Sequence, residues 1–547
     1  MAHKKKIPNS QKLAGSSSPL NVWLAKVLNK TASESINEIL FKYPKSCIIY
    51  LEALAKNYQK NGKFLDSALC YKELVVRREA AINDLINLSV VLFMGGEMLD
   101  SLTYARMAYV KDSKSITTTK VFLECLISTN HPQEALDIAL EKLKESPADI
   151  DLRVAVAQSK RLLGDWEGAI EILNELSSHT NEFKYSLMLA DAIGEIDSGK
   201  ALPIYEKALL NGELFSPIFH YNLSLHYLRT RQFKKGWPLY EFGLDREVGL
   251  YGRKVPYNLK GMYRADLAQD SDPSDLTVVC WEQGIGDQLV CLSAIEEAMN
   301  DFPNMVLVCE GRMASIISRS FPNLQLSTGG NFGGSSFGET GQKLGYMPLG
   351  SMLAKYRPNT ESFLVNRKPF IAVDADLYYF YRDRLKQLSN GRKILGISWQ
   401  SNVAAANTAK IKGTQFSDWL GIFNKNTLIV NLQYGNTLTE QDIAKTYNLE
   451  MVSFNELDFT KELDHWLALS AACDGITCIS TSLVHFSGAC GQKVAVVMPY
   501  NQGHWSLGVS DDESIIYPNV RLFRKQQNES TSLLIQRASD HITKDLS

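Results

Sequence analysis

The sequence lacks the markers of several protein classes. No CxxC pair occurs among its nine cysteines, Cys47, Cys70, Cys125, Cys280, Cys291, Cys309, Cys473, Cys478 and Cys490, and several of these fall in apolar runs. Such scatter argues against a disulfide framework or a zinc site and predicts reduced, mostly buried thiols in a cytoplasmic protein. No apolar run approaches the 18 or so residues of a membrane span. The opening MAHKKKIPNSQKLAGSSSP is basic and then polar, without the apolar core of a secretory signal. A soluble chain with residues 1–20 as a disordered tail is expected. An excess of one charge is also missing: 58 basic against 60 acidic side chains leave a net charge of −2. No bulk field therefore attracts nucleic acid or an anionic membrane, and any anion site must be local. With 45% hydrophobic residues, 17 prolines and 35 glycines, the composition is that of an ordinary folded protein. Its 547 residues predict three or four domains.

What is present begins with a repeat. From about residue 22 to 245 the pattern is helical, and Gly62, Gly96, Asn130 and Gly164 recur at a spacing of 34 residues. That is the length of a tetratricopeptide repeat. Five residues after each stands a small side chain, Ser67, Ser101, Ala135 and Ala169, where two helices of a hairpin must approach closely. Two units with altered spacing follow, around 201–205 and 236–240, and an incomplete one precedes them, so about six repeats and a partial cap are expected over 21–248. The groove of such an array binds peptides or proteins. His220 and His226, six residues apart, do not share a helix face as metal ligands would and are read as packing or surface residues.

After a polar linker, 249–275, apolar runs alternate with helical stretches. Strands are expected at 276–281, 305–309, 393–399, 427–433, 475–479 and 493–498, rich in Val, Ile and Leu and without polar alternation. Strands of a parallel sheet covered on both faces look like this. The fold class is α plus α/β: a helical solenoid, then two Rossmann-like domains, 276–390 and 391–547, facing one another across a cleft. The glycine-rich stretch 329–341, together with 380–393, is expected to divide the halves.

Three strand ends carry candidate chemistry. In WEQGIGDQ, Gly284 and Gly286 let backbone N–H groups approach a ligand, and Asp287 stands where a helix begins, as an N-cap, a functional carboxylate or both. The spacing is neither GxGxxG nor a P-loop. In ISTSLVHFSGACG, Ser480, Thr481 and Ser482 open a helix whose free N–H groups suit an anion such as diphosphate. His485, one turn inside, is either a phosphate donor or structural. The third element pairs Trp399, Gln400 and Ser401 with Gln433 and Tyr434, groups able to hold a base or sugar, followed by Lys412, a phosphate contact or a solvated lysine. Asp374-Ala375-Asp376 has DxD spacing but lies outside these motifs and is read as surface.

The order FKKGWPLYE, WEQGIGDQ, GISWQSN, LQYGN, ISTSLVHFSGACG and YPNVRLFRK, over residues 22 to 540, resembles the bacterial tetratricopeptide-repeat glycosyltransferases. Their catalytic part is similar to the heptosyltransferases and, more distantly, to O-linked N-acetylglucosamine transferase. The resemblance implies a GT-B fold, a nucleotide-sugar donor held mainly by the C-terminal half, and inversion at the anomeric carbon without a metal or other cofactor. It maps the family's base onto Asp287, its D-T-[AS]-x-x-H phosphate motif onto residues 480–485 with Ser480 in place of the aspartate, and its basic loop residue onto Lys412. The family's tryptophan-rich segment appears as Asn501-Gln502-Gly503-His504-Trp505. A protein acceptor presented by the repeats follows, flagellin or another surface protein by analogy, with no nucleic-acid partner. Two other readings fit the same residues: a non-catalytic adaptor with a degenerate transferase fold, for which Ser480 speaks, and a lipopolysaccharide-type glycosyltransferase.

Overall fold

The computed structural model describes residues 23, 30–180, 182–210, 216–245, 248, 252–255, 262–268, 275–329, 343–365, 367–401, 414–499, 503–526 and 528–544. The chain forms two compact units that divide between Ile172 and Leu173.

In the first unit the 34-residue period is a helix-pair period. The pairs are Cys47–Lys60 with Phe64–Arg77, Ile82–Met94 with Met98–Lys111, and Ile116–Ser128 with Pro132–Glu145, and Ile150–Leu163 begins the next. Gly62, Gly96, Asn130 and Gly164 each take a left-handed φ, 71°, 86°, 63° and 85°, in the short turn inside a pair. Glycine adopts that conformation without penalty and asparagine with little, which is why these residue types mark the period. Ser67, Ser101, Ala135 and Ala169 are wholly buried. The Ser67 hydroxyl donates to the Ala55 carbonyl at 2.9 Å and Ser101 to the Ser89 carbonyl at 2.8 Å, so the close approach also satisfies the buried hydroxyls.

The second unit takes in the end of the helix Trp166–His179 and then the helix pairs Phe183–Ile196 with Ser198–Leu210, and Pro217–Arg229 with Phe233–Tyr240. The helical array, expected as one domain to residue 248, is thus shared between units. Aromatic side chains explain the division: Tyr221, Phe233, Trp237 and Tyr240 lie in one core with Val279, Leu289 and Met347 of the sheet region. Trp237 Nε1 donates to the Arg357 carbonyl at 2.7 Å. His226 is buried beside Gly194 and Tyr205, and its imidazole is pushed down to about 3 by burial and by nearby Arg229, while His220 stacks on Phe242. Both are packing residues.

Two parallel sheets follow. The first has the order β1 (Tyr263–Arg264), β5 (Leu344–Pro348), β2 (Leu276–Cys280), β3 (Met305–Val308), β4 (Gln325–Ser327). The second has the order β11 (Val520–Arg524), β10 (Val494–Met498), β9 (Gly475–Ile479), β6 (Lys393–Ser398), β7 (Thr427–Asn431), β8 (Met451–Val452). All six expected strands form, shorter by up to two residues at an end. Of the five others, β1, β4, β8 and β11 lie at sheet edges, where a run of apolar residues is not required, and β5, inside the first sheet, has its apolar run broken by Gly345 and Pro348. Residues 330–342, which cover nearly all of the expected glycine-rich stretch, lie outside the described residues, while 380–393 runs from within the helix Ala375–Ser389 to the start of β6. The strand after residues 330–342, β5, pairs with β2, so the first sheet continues past that stretch. The expected linker is also partly built in, since it contributes β1 and the buried Arg253. All nine cysteines are free, and all but Cys490 are buried.

The sheet order places the loops. From β2 the chain moves to β3 and β4 on one side before β5 forms on the other, and from β6 it moves to β7 and β8 before β9 forms on the other. Crevices open at the carboxyl ends of strands where the order reverses. The segments that follow β2 and β9, carrying Asp287 and Thr481, both begin beside such a reversal. No helix among the described residues is long and apolar enough to cross a membrane.

Candidate functional site

The loop after β2 is fixed before it reaches the glycines. Glu282 is buried and receives two guanidinium donors of Arg253, each at 2.9 Å, and the Gly350 N–H at 2.5 Å. The Arg253 side chain is itself fully buried. Burial opposes its charge, yet Glu282, Tyr240 and Glu241 hold its pKa above the ordinary value. The next residue, Gln283, accepts from the Tyr240 hydroxyl at 2.7 Å and donates to the Tyr221 hydroxyl at 3.3 Å. Gly284 then caps the helix Ile285–Leu292. Asp287 is the third residue of that helix. The N-cap reading is therefore corrected: glycine occupies the cap, and Asp287 stands in the first turn with Oδ2 3.4 Å from where a Cβ on Gly284 would lie.

At the second sheet, Thr481 caps the helix Ser482–Ala489 in extended conformation. Its side chain is 8% exposed, and its Oγ1 has no hydrogen-bond partner among the described residues. A buried hydroxyl without a partner at the positive end of a helix is a place for an acceptor-rich ligand. His485 is buried one turn on, with Nδ1 3.0 Å from the Tyr517 hydroxyl. Burial keeps the Tyr517 phenol well above its ordinary pKa, so it is neutral.

The two helix starts meet. A Cβ placed on Gly286 would lie 3.0 Å from His485 Cδ2 and 3.8 Å from Ser482 Cα. A third element joins them: His504, from the loop after β10, has Nε2 3.0 Å from Asp287 Oδ1 and Nδ1 2.8 Å from Ser506 Oγ. The imidazoles of His485 and His504 are 6.2 Å apart, near perpendicular. Gly286, Asp287, Thr481, Ser482, His485 and His504 thus form one cluster at the carboxyl edges of both sheets.

The third expected element turns out to be a brace. Gln433 is buried, and its Oε1 accepts from Ser398 Oγ at 3.0 Å, Trp399 N at 3.0 Å and Gln400 N at 2.9 Å. Its Nε2 donates to the Gln400 and Tyr434 carbonyls, each at 3.0 Å. Those bonds join the ends of β6 and β7 and use the amide from both sides, so Gln433 shapes the edge rather than contacting a donor. Trp399 is likewise corrected: it is 1% exposed and packs on Phe416 in the core. Ser401 is buried, Gln400 is exposed, and Tyr434 is half-buried edge-on to Trp466. Lys412 lies outside the described residues. Gln433→Met is expected to destabilise the unit by roughly 1–3 kcal/mol through the stranded N–H groups, read as a lower urea midpoint.

Asp374 is the N-cap of the helix Ala375–Ser389, accepting from Leu377 N at 3.0 Å, and it pairs with Arg319. That spends one end of the DxD pattern on structure. Sequence reasoning missed His504 as a partner of Asp287, since only folding joins segments so far apart, and Arg253, whose surroundings read as linker.

No family model matches the chain, and no curated protein does. Among solved structures, the chain is similar to a tetratricopeptide repeat protein from Parabacteroides merdae, at 16% identity over 42% of this chain and 94% of that one, with a TM-score of 0.37. It is also similar to a thermophilic tetratricopeptide-repeat protein of Thermus thermophilus, at 15% identity over 30% and 90% of the two chains and a TM-score of 0.26. A third is MamA from Desulfovibrio magneticus, at 14% identity over 30% and 93% and a TM-score of 0.27.

Proposed function

We propose that this protein is an inverting glycosyltransferase that moves a sugar from a nucleotide-sugar donor to a protein acceptor held by the helical pairs. One observation carries the reading: the helix starts at 285 and 482, from different sheets, face each other with Asp287 and the unpartnered Thr481 hydroxyl in the same cluster. The donor's diphosphate sits against the N–H groups at 481–482, with Thr481 Oγ1 and His485 as donors. These dipoles stabilise the charge that grows on the leaving group without need of a metal. Asp287 takes the proton of the acceptor hydroxyl or amide as it attacks the anomeric carbon. The bond from that carbon to the diphosphate breaks, and a nucleoside diphosphate leaves. The helical pairs supply the surface for a polypeptide.

Ser480 favours a second reading, a repeat adaptor with a degenerate transferase fold, because it stands where the resemblance expects an aspartate. Calorimetry on the full chain with a panel of nucleoside diphosphates and nucleotide sugars separates the two. Saturable binding to the wild type is expected, weakened at least about tenfold in Gly286→Val, whose side chain would crowd His485. Absence of binding across the panel at millimolar ligand would leave the adaptor.

A further inference from the structure

The turn of the last helix pair breaks a rule that four earlier turns keep. Arg231 stands where Gly62, Gly96, Asn130 and Gly164 stand, two residues before the second helix, and like them it has a left-handed backbone, with φ 64°. That conformation disfavours a side chain such as arginine, and a residue held there against preference points to a task for its side chain. The Arg231 side chain is mostly buried, with its guanidinium 5.9 Å from the Phe233 ring centre, and it directs its hydrogen bonds to the loop that carries His504. It donates from Nε to Asp511 Oδ2 at 3.0 Å, from Nη1 to the Trp505 carbonyl at 2.9 Å and from Nη2 to the Ser506 carbonyl at 3.5 Å. Arg524 holds the same loop at the Leu507 and Gly508 carbonyls, at 3.0 and 3.1 Å.

The loop in turn sets the histidine. Both the Ser506 backbone N–H, at 3.4 Å, and Ser506 Oγ, at 2.8 Å, face His504 Nδ1. A backbone N–H only donates, so Nδ1 accepts and the proton of the neutral ring lies on Nε2, directed at Asp287 Oδ1. We propose that Arg231 is a positioning residue, locking residues 503–508 so that His504 presents its Nε2–H to Asp287 and the last helix pair becomes part of the machinery around that carboxylate. The role assigned to Asp287 rests on the transferase reading. The mechanical link from Arg231 to His504 does not.

The test uses the full chain labelled with ¹⁵N-histidine, with His504 assigned through His504→Gln. Around His504 the titratable and charged groups are Asp287, His485 with Tyr517 behind it, and Asp511, Arg231 and Arg524. Where the His504 ring is neutral, the wild type is expected to show a single Nε2–H tautomer. Arg231→Gly places there the residue type of the turns at Gly62, Gly96 and Gly164 while removing the clamp. It is expected to mix the tautomers and raise amide exchange in 503–508 by about tenfold or more, with helices Pro217–Arg229 and Phe233–Tyr240 as protected as before. Should those helices also loosen, Asp511→Asn, which weakens the clamp from the loop side, is expected to give the same mixed signature. An unchanged His504 tautomer and unchanged 503–508 exchange in both variants would overturn the proposal. Wild-type sugar transfer by Asp287→Asn, with the His504 response to Arg231→Gly intact, would instead reject the base and leave the clamp standing.

Discussion

Asp287→Asn is expected to slow sugar transfer by about 10²–10⁴-fold. Asparagine keeps the shape of the side chain and an oxygen that can accept from His504 Nε2, but it cannot take a proton at neutral pH. The change therefore removes the chemistry while leaving the geometry, with Gly284 as cap and Asp287 as third residue of its helix. Protein captured by the helical pairs should co-purify equally with wild type and variant. Intact mass of that protein should show the added sugar only with the wild type. Equal modification by both would sink the base assignment, and no modification by either would turn attention to the adaptor.

The largest loss of stability is expected not in a core of leucines but at Glu282→Leu. Arg253 and Glu282 form a buried ion pair with two guanidinium bonds, and Arg253 reaches further to Ser351 Oγ at 2.8 Å and to Glu241 Oε1 at 3.0 Å. Removing one partner leaves a guanidinium out of water without its main counter-charge, which destabilises by about 3–5 kcal/mol. Denaturant unfolding followed by tryptophan emission reads the loss, since Trp237 and Trp281 adjoin this region. The double variant Arg253→Met/Glu282→Leu should regain most of it, because neither charge then remains buried. A single variant as stable as the wild type would mean that water reaches the pair. Since Glu282 lies five residues before Asp287, the same change should also loosen the loop and weaken nucleotide binding.

Periodicity made the first part of the protein readable. A left-handed turn residue and a small side chain five positions later are local demands of a helix hairpin, and each tells its story through residue type alone, as at Gly62 with Ser67 or Gly164 with Ala169. Buried parallel strands announce themselves in the same way, through unbroken apolar runs such as β9 and β10. Short edge strands such as β1 and β8 carry no such signature, because they need only a few backbone hydrogen bonds.

Helix-start positions were legible, as for Thr481, which stands at the N-cap of its helix. The roles of Gln433 and Trp399 were not: each looks like a ligand contact in the chain, yet one is consumed in bridging strand ends and the other in packing, and hydrogen-bond supply across a sheet decides this. The meeting of Asp287 with His504, and the reach of Arg231 to the loop between them, join residues more than two hundred positions apart. Local rules thus dictate which helices and strands exist, because those depend on neighbours a few residues away. Which charged and hydrogen-bonding groups face one another depends on how sheets and helix pairs pack, and that is settled only when the chain closes on itself.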